Sequence, residues 1–562
     1  MSISATQREN IGSILNGNLF VIPSYQRKYS WTNKEQVELW TDIKGAKSNN
    51  INHFFGTLIF KKTENDNLDE VYEIIDGQQR TTTLFLLLNE LIEKIVDTTK
   101  KMSYKSKFIS TNNSIKLLPL GRDKVFLEKL ILDFNSIKIS EIDKRSQKNL
   151  LNAKKNFQSL LNDFNEDEAI SYIDFIRKNV EVLVLVVDKQ SEAIRMFEII
   201  NDRGLELNYL DKIKSITMLY STMYLNESLN DFINESFEKI FDSNDNIITK
   251  REKFKILSRF DENETLFLHH YIKAKIFFTN SWNYRNGAKT IFESLKSKCE
   301  ELKENKEELE KFLKGYIEDF TNFSINYSEL IDNIDNTTNI KYIESLQFLE
   351  FSATMYPLIV ILYSQNKLDS LIDILISIEI RVFKIKGTNP RADIPTLCNE
   401  LSTQELDIDY IKNWLVNFRD KFMNNGNFEY SLKNPIYGSN AVKYILLKYI
   451  NQSIKFIEYE NLQIEHIFAK ETNFEVTDFN FDDIEDYKQV INKIGNLLLL
   501  EEGLNKGKDV SNLVPKQKIY GYLKSNISNT REFAGYIEKN GFDKNKLEDR
   551  NQKIISFCLE NL

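Results

Sequence analysis

The sequence predicts a mixed, largely helical protein with an α/β N-terminal region, a helical middle region and a distinct C-terminal region. Strand-like runs alternate with helical patterns up to about residue 205. Apolar residues then recur at helical spacing from 206 to 445, and the pattern changes again from 446. Because 562 residues are too many for one hydrophobic core, we expect three domains, 1–205, 206–445 and 446–562.

The N-terminal region contains a predicted β-hairpin followed by a helix. Residues 54–61 and 71–75 have strand-like composition and are separated by an acidic, asparagine-rich turn. The sequence Asp-Gly-Gln-Gln-Arg at 76–80 ends this pattern, and leucines and isoleucines at helical spacing follow it. One of the three threonines at 81–83 is expected to cap that helix. The apolar run at 181–187 predicts a further, buried strand.

The overall charge limits the ways in which the chain can bind nucleic acid. It has 74 basic and 83 acidic residues, a net charge of -9 and a pI of about 5.4. The net negative charge argues against a protein that coats DNA through its overall charge, so any nucleic-acid site must be a local basic patch. The cysteines Cys299, Cys398 and Cys558 are far apart, which argues against a disulfide framework or a cysteine zinc site and fits a reducing cytosol.

The start of the sequence and its hydropathy predict a cytoplasmic protein. The first residues lack the basic segment and apolar run of a signal peptide. No stretch approaches the 18 or so apolar residues that a membrane span requires. We therefore expect no membrane association.

The C-terminal region holds residues suited to phosphodiester hydrolysis. Glu465 and His466 lie near the end of an apolar strand predicted at 461–468, and Asn496 precedes a run of leucines. Asn505 and Lys508 follow. Hydrolysis needs a base for the attacking water and a cation near the leaving oxygen. A neutral imidazole suits the first role, and carboxylate and amide oxygens suit Mg²⁺.

In this order, these residues resemble the HNH, or ββα-metal, nuclease pattern, and most closely the variant that is fused to GmrS-like domains. The resemblance implies that His466 is the general base and that Glu465 and Asn505 bind Mg²⁺ or Mn²⁺. It also implies that Asn496 orients the histidine ring and braces the loop, and that Lys508 contacts phosphate.

Two features of this region qualify the resemblance. The family often has proline three residues after the histidine, whereas this chain has Ala469, which leaves the shape of the loop in doubt. Asn512 is a competing candidate for the second metal ligand.

Three polar segments stand out in the N-terminal region. They are residues 22–31, which begin with Ile-Pro-Ser-Tyr-Gln-Arg, residues 76–82, which begin with Asp-Gly-Gln-Gln-Arg, and residues 197–205, which contain Asn-Asp-Arg-Gly. The second ends a strand and begins a helix, where unpaired backbone N–H groups and the helix dipole form an anion site. Arg80 adds a bidentate phosphate donor. The chain lacks the P-loop sequence, so this is not a P-loop enzyme.

Together the three segments resemble the GmrS-like domain, which is related to the ParB/sulfiredoxin fold. The resemblance implies binding and hydrolysis of a nucleoside triphosphate with Mg²⁺. Asp76 would serve the metal ion or the attacking water. The other implied nucleotide-site residues are Tyr25, Gln26, Arg27, Gln78, Gln79, Arg80, Asn201 and Arg203.

Both resemblances identify the chain as a member of the GmrSD type of modification-dependent, type IV restriction proteins. They imply a nucleotide-regulated, metal-dependent endonuclease that cuts or nicks modified foreign DNA, such as phage DNA, in antiviral defence. The expected partners are DNA and a nucleotide, and a homo-oligomer is left open. Two alternatives remain: a nucleotide-dependent sensor of modified DNA without nuclease activity, and an RNA-targeting HNH nuclease.

Overall fold

A computed structural model of the chain describes most of the sequence. The described residues are 7–22, 26–63, 71–111, 114–119, 123–138, 142, 145–187, 209–250, 271, 288–336, 343–390, 392–439, 441–450, 459–507, 510 and 512–562. They form two compact units. The first contains the described residues up to 250 and those of 288–328, and the second contains 271 and those from 329 onward.

The first unit has a mixed sheet surrounded by helices. Its strands are β1 (Gln7–Asn10), β2 (Leu19–Ile22), β3 (His53–Thr63), β4 (Val71–Asp76), β5 (Ser110–Thr111), β6 (Ser114–Ile115), β7 (Leu117–Pro119) and β8 (Val180–Val187). Its helices are α1 (Ile11–Leu15), α2 (Asn33–Ser48), α3 (Gln78–Glu93), α4 (Thr98–Phe108), α5 (Asp123–Leu132), α6 (Arg145–Leu160), α7 (Glu166–Asn179), α8 (Tyr209–Tyr224), α9 (Asn230–Lys250), α10 (Ala288–Leu302) and α11 (Lys306–Asn336), the last residues of which belong to the second unit.

The six-stranded sheet has the order β1-β8-β3-β4-β2-β7. The pairs β1–β8 and β3–β4 are antiparallel, whereas β8–β3, β4–β2 and β2–β7 are parallel. The main core of this unit contains the apolar faces of α2, α3 and α6, and Leu86, Leu87, Leu91 and Ile92 of α3 are fully buried. The helix therefore fixes the position of the segment that begins it.

Several sequence predictions for this unit are confirmed. The strands predicted at 54–61 and 71–75 correspond to β3 and β4, which pair antiparallel, and the strand predicted at 181–187 corresponds to β8. The predicted start of α3 is wrong. The helix begins at Gln78, with Gly77 at the N-cap, so the threonines at 81–83 lie inside it and are buried.

In its described residues, the second unit is helical apart from one two-stranded sheet. Its strands are β9 (Leu462–His466) and β10 (Leu497–Glu501). Its α-helices are α12 (Tyr356–Ser364), α13 (Leu368–Ile378), α14 (Asp393–Thr403), α15 (Ile408–Met423), α16 (Asn425–Lys433), α17 (Val442–Tyr449), α18 (Ile484–Val490), α19 (Glu502–Asn505), α20 (Pro515–Leu523), α21 (Ser528–Asn540) and α22 (Lys544–Asn561).

The C-terminal part of this unit has its own aromatic core, which holds the loop after β9. The ring of Phe468 contacts the rings of five other aromatic residues, among them Tyr487 and Phe542. The hydroxyl of Tyr487 donates to the backbone oxygen of Ala469 at 2.5 Å. The loop that carries Ala469 in place of the family's proline is therefore fixed by side-chain packing and by this hydrogen bond.

The described helices include none that is long and apolar enough to cross a membrane.

Candidate functional site

The β9–β10 hairpin brings the two central residues of the C-terminal motif into the interior. Its strands are antiparallel, and Leu498 pairs with Glu465 and Leu497 with His466. Glu465 and His466 are only 6% and 7% exposed. Because consecutive strand residues point to opposite faces, the carboxylate and the imidazole have separate surroundings.

On one side of the hairpin, the carboxylate of Glu465 is part of a buried polar cluster. Nζ of Lys518, on α20, donates to Oε1 of Glu465 and to the backbone oxygen of His466, both at 2.6 Å. The hydroxyl of Tyr522 donates to the same Oε1 at 3.1 Å. Burial raises the pKa of Glu465 and lowers the pKa of Lys518, and their pairing opposes both shifts.

The imidazole of His466 is positioned by Asn492 and Tyr437. Its Nε2 lies 3.0 Å from Oδ1 of Asn492, and its ring centroid lies 4.4 Å from that of Tyr437. An amide oxygen only accepts hydrogen bonds, so this contact assigns the proton to Nε2 and leaves the lone pair on Nδ1. Burial lowers the pKa of His466 to about 4, with a further contribution from Lys470, so the ring is neutral at pH 7.

Asn496 bonds to backbone groups and not to the histidine ring. It is fully buried, and its Oδ1 accepts from the backbone N–H of Phe468 at 2.8 Å. Its Nδ2 donates to the backbone oxygens of Phe468 and Ile491 at 3.1 and 2.8 Å. These bonds tie the loop after β9 to the start of β10. The contact with the ring that we had expected from Asn496 is made by Asn492, which the sequence analysis did not single out.

Gly495 allows α22 to approach this turn closely. A Cβ atom at this position would lie 2.5 Å from the backbone oxygen of Leu547 and 2.7 Å from Cβ of Asn551. The backbone N–H of Gly495 donates to Oδ1 of Asn551 at 3.0 Å. The glycine before Asn496 is therefore explained by packing.

The other predicted C-terminal residues lie on or after α19. Nδ2 of Asn505 donates to Oε1 of Gln463 at 3.2 Å, so this residue faces β9. Nδ2 of the exposed Asn512 donates to Oε2 of Glu471 at 3.1 Å. Lys508 lies outside the described residues.

The described residues contain no group of three or more histidine, cysteine, aspartate or glutamate side chains that could hold a metal ion. An HNH-type site would instead use the carboxylate of Glu465 and the amide oxygen of Asn505. Lys518 and Tyr522 both bond to Oε1 of Glu465, so a metal ion held by this carboxylate would have to bind through its other oxygen. The carboxylate of Glu465 and the amide oxygen of Asn505 are hard oxygen ligands of the kind that suits Mg²⁺ and Mn²⁺.

In the first unit, a left-handed glycine starts the helix that carries the second polar segment. Gly77 has a φ of 93°, and a Cβ atom there would lie 2.2 Å from Cδ2 of Leu58. Gln78, Gln79 and Arg80 therefore form the first turn of α3, directly after β4 ends at Asp76.

Arg80 bonds to the backbone of β3. Nη1 donates to the oxygen of Phe55 at 3.0 Å, and Nη2 donates to the oxygen of Thr57 at 2.8 Å, at a bulge in the strand. Nη2 also lies 3.6 Å from Oδ2 of Asp76. Burial raises the pKa of Asp76, whereas the charge of Arg80 opposes this shift. In this structure the guanidinium stabilises the sheet, and a contact with phosphate stays a prediction.

The first two polar segments lie side by side. Oε1 of Gln79 accepts from the backbone N–H of Ser30 at 2.8 Å, and its Nε2 donates to the oxygen of Lys28 at 3.0 Å. Nε2 of Gln26 donates to the oxygen of Ile75 at 3.1 Å. The helix start and the loop after β2 thus form one surface.

This surface lines a pocket. The pocket residues are Ile22, Gln26, Arg27, Lys28, Tyr29, Gln78, Gln79, Thr82, Pro119, Asp123, Leu127 and Leu150. Four of them are predicted nucleotide-site residues. Arg80 and Asp76 are not among the lining residues, and Tyr25, Asn201 and Arg203 lie outside the described part of the chain.

The cations in this pocket are paired with carboxylates of α8 and α9. Nη1 of Arg27 lies 3.6 Å from Oδ2 of Asp211, and Lys28 donates to Asp242. Burial lowers the pKa of Lys28, but Asp242, with smaller contributions from Asp123 and Asp245, raises it by more.

Two acceptors of the pocket are buried without a hydrogen bond. Oε1 of Gln78 and Oδ1 of Asp123 have no partner among the described residues. Lys28 lies within the first polar segment, although no role is predicted for it from the sequence, and no motif provides a signal for Asp123.

Family models match both ends of the chain. The model for the GmrSD restriction endonuclease N-terminal domain matches residues 9–218, and the model for the C-terminal domain of GmrSD restriction endonucleases matches residues 416–557. None of the curated proteins compared with the chain matches it. The predicted resemblance is confirmed, and the chain belongs to the GmrSD family of restriction endonucleases, which are type IV restriction enzymes acting on DNA.

Proposed function

We propose that the chain is a metal-dependent HNH endonuclease that cuts or nicks modified foreign DNA, such as phage DNA, in the cytoplasm. We further propose that a nucleoside triphosphate bound and hydrolysed in the N-terminal pocket regulates this activity. The observation that supports the nuclease proposal is the buried imidazole of His466, which is held in position by Asn492. Membership of a restriction endonuclease family provides the substrate class.

The surroundings of His466 suit a general base. Nε2 is engaged with Asn492, so Nδ1 carries the lone pair that accepts the proton from the attacking water. The ring is unprotonated at neutral pH because burial lowers its pKa to about 4. The negative phosphate of bound DNA favours the imidazolium that forms as the proton is transferred.

Glu465 and Asn505 are the proposed ligands of Mg²⁺ or Mn²⁺, and Lys508 is the proposed phosphate contact. When bound, the metal ion would stabilise the charge that develops on the leaving oxygen. Lys518 and Tyr522 hold the carboxylate of Glu465 in place through Oε1. Asn496 secures the turn between the strands through three backbone hydrogen bonds.

The residues that line the N-terminal pocket support the proposal of a nucleoside triphosphate site. It contains Arg27 and Lys28 for phosphate, the start of α3, and the unpaired buried acceptors of Gln78 and Asp123 for donor groups of the ligand. Asp76 is proposed to serve a metal ion or the attacking water. The remaining proposed contacts are Tyr25, Gln26, Gln79, Arg80, Asn201 and Arg203.

The fold assignments rest on the same resemblance. A mixed sheet packed against helices is compatible with the ParB/sulfiredoxin-like fold proposed for the N-terminal domain. The β9–β10 hairpin followed by α19 and α20 has the strand-strand-helix order of the proposed ββα-metal fold.

A cleavage assay with the full chain tests the nuclease proposal. The substrates are modified phage DNA and unmodified DNA, in Mg²⁺ or Mn²⁺, with and without nucleoside triphosphates. His466→Ala is compared with His53→Ala, a matched control at the start of β3 in the first unit. We expect the wild type and His53→Ala to cut modified DNA only, and His466→Ala to be inactive. A chelator should abolish cleavage.

Other outcomes favour the alternatives. If the wild type binds modified DNA but cuts none, the chain is a sensor rather than a nuclease. If single-stranded RNA is cut in preference to DNA, the RNA-targeting interpretation replaces the DNA proposal. If His466→Ala retains activity, the assignment of the base is wrong.

A further inference from the structure

One carboxylate in the N-terminal pocket has an oxygen that is buried without a hydrogen bond. Asp123 is the first residue of α5 and is only 6% exposed. Its Oδ1 is buried and has no hydrogen-bond partner among the described residues. A buried carboxylate oxygen without a donor is unfavourable, because it loses its hydration and gains nothing in return. The position of Asp123 in a pocket therefore points to a ligand that supplies donors.

The cations of the same pocket do not donate a hydrogen bond to the buried oxygen of this carboxylate. The ammonium of Lys28 donates to Asp242, and the guanidinium of Arg27 faces Asp211. A bound triphosphate would further engage both cations. Asp123 thus stands apart from the phosphate-binding function as a hydrogen-bond acceptor.

The rest of the lining indicates a flat ligand with apolar faces and a polar edge. Ile22, Pro119, Leu127 and Leu150 are apolar and lie around the same pocket as Asp123. Such side chains pack against the faces of an aromatic ring, while a few polar groups select its edge. A nucleobase has this combination of surfaces.

The four common bases present different edges to a carboxylate. Guanine has two adjacent donors, N1–H and the N2 amino group, which match the two oxygens of a carboxylate. Adenine and cytosine present one amino group next to a ring nitrogen acceptor, and uracil presents one N–H between two carbonyl oxygens. In these three bases, a lone pair would face the carboxylate and repel it.

Resting on the proposed nucleotide-binding function, we propose that Asp123 is the specificity residue of this site and that it selects a guanine base. The N1–H and one N2–H of a guanosine triphosphate bond to the carboxylate. The second N2–H supplies a donor for the unpaired Oε1 of Gln78. The triphosphate then extends toward Arg27 and Lys28.

Isothermal titration calorimetry with the full chain in Mg²⁺ tests this proposal independently of cleavage. The probes are the non-hydrolysable β,γ-imido analogues of the guanosine, adenosine, cytidine, uridine and xanthosine triphosphates, together with inorganic triphosphate. We expect the wild type to bind the guanosine analogue about 10- to 100-fold more tightly than the other analogues, since hydrogen bonds to a charged group discriminate by this amount.

The variant Asp123→Asn provides a gain of binding that misfolding cannot produce. The amide accepts from N1–H and donates to the carbonyl oxygen at position 2 of xanthine, so the preference should change from guanosine to xanthosine. Asp133→Asn, an exposed residue just after α5, is the matched control and should keep the guanosine preference. Thermal unfolding of both variants measures their stability.

Three results would overturn the proposal, and they distinguish a failure of guanine selectivity from a failure of nucleotide binding. If the wild type binds all bases equally, the nucleotide site stands but its guanine selectivity does not. If Asp123→Asn weakens every analogue and inorganic triphosphate equally, Asp123 serves a cation or the phosphates. If no analogue binds the wild type, the proposed nucleotide-binding function itself fails, and the selectivity fails with it.

Discussion

Nε2 of His466 lies 3.0 Å from Oδ1 of Asn492, four residues before the asparagine that the motif identifies. This contact determines which ring nitrogen carries the proton, because the amide oxygen can only accept. The ring also packs against that of Tyr437 at an interplanar angle of 58°. Asn492 is thus a positioning residue for the proposed base.

We expect Asn492→Ala to lower kcat for DNA cleavage by about 10- to 100-fold with little change in KM. Loss of a residue that orients a functional histidine typically has an effect of this size. Asn492→Asp keeps the hydrogen-bond acceptor and should retain more activity than Asn492→Ala. Its negative charge should raise the pKa of His466 and therefore move the acid limb of the pH–rate profile to higher pH. If Asn492→Ala keeps the wild-type kcat and pH profile, the contact has no role in positioning.

The ion pair between Lys518 and Glu465 predicts a large loss of stability when one partner is removed. Lys518→Met leaves the buried carboxylate without its cation, and we expect a loss of about 3–5 kcal/mol in the free energy of unfolding. Adding Glu465→Gln should restore part of this loss. Lys516→Met, at an exposed position on the same helix, should change stability by less than about 0.5 kcal/mol. Denaturant unfolding is measured for the wild type, Lys518→Met, Glu465→Gln, the double variant and Lys516→Met. Additive effects of the substitutions at 518 and 465 would contradict the coupling.

The close contact at Gly495 predicts a difference between two glycine substitutions. Gly495→Ala places a methyl group against the backbone oxygen of Leu547, and we expect a loss of about 1–3 kcal/mol or more. Gly503→Ala, in α19, meets nothing within 4 Å and should leave stability unchanged or raise it by up to about 1 kcal/mol. Equal melting temperatures for the two variants would disprove the packing argument.

Substitutions of Arg80 and Gln78, both in the first turn of α3, should differ in their effects: one on stability and the other on nucleotide binding. Arg80→Ala removes donors from the oxygens of Phe55 and Thr57, so we expect it to lower the melting temperature. Gln78→Ala removes an acceptor that has no partner among the described residues, so it should weaken binding of a nucleotide analogue by about tenfold without lowering stability. Full nucleotide turnover in the double variant would show that the proposed nucleotide site is wrong.

Local patterns in the sequence predicted several elements close to their observed limits. Strand-like and apolar runs predicted β3, β4 and β8. The start of α3 could not be predicted from side-chain preferences alone. A glycine in the left-handed conformation begins that helix, and the threonines that resemble caps are buried inside it.

By itself, the sequence determined the motifs, their order and the family, because these depend on residue types and their order along the chain. It also brought Glu465 and His466 to adjacent positions, since neighbours in a strand are close in any fold. Only the tertiary structure decided which distant groups meet them: Asn492 at the ring and Lys518 at the carboxylate. The same holds for Asp123, whose importance depends on burial beside Gln78 without a donor. Contacts between residues far apart in sequence arise from packing, and no local pattern specifies them.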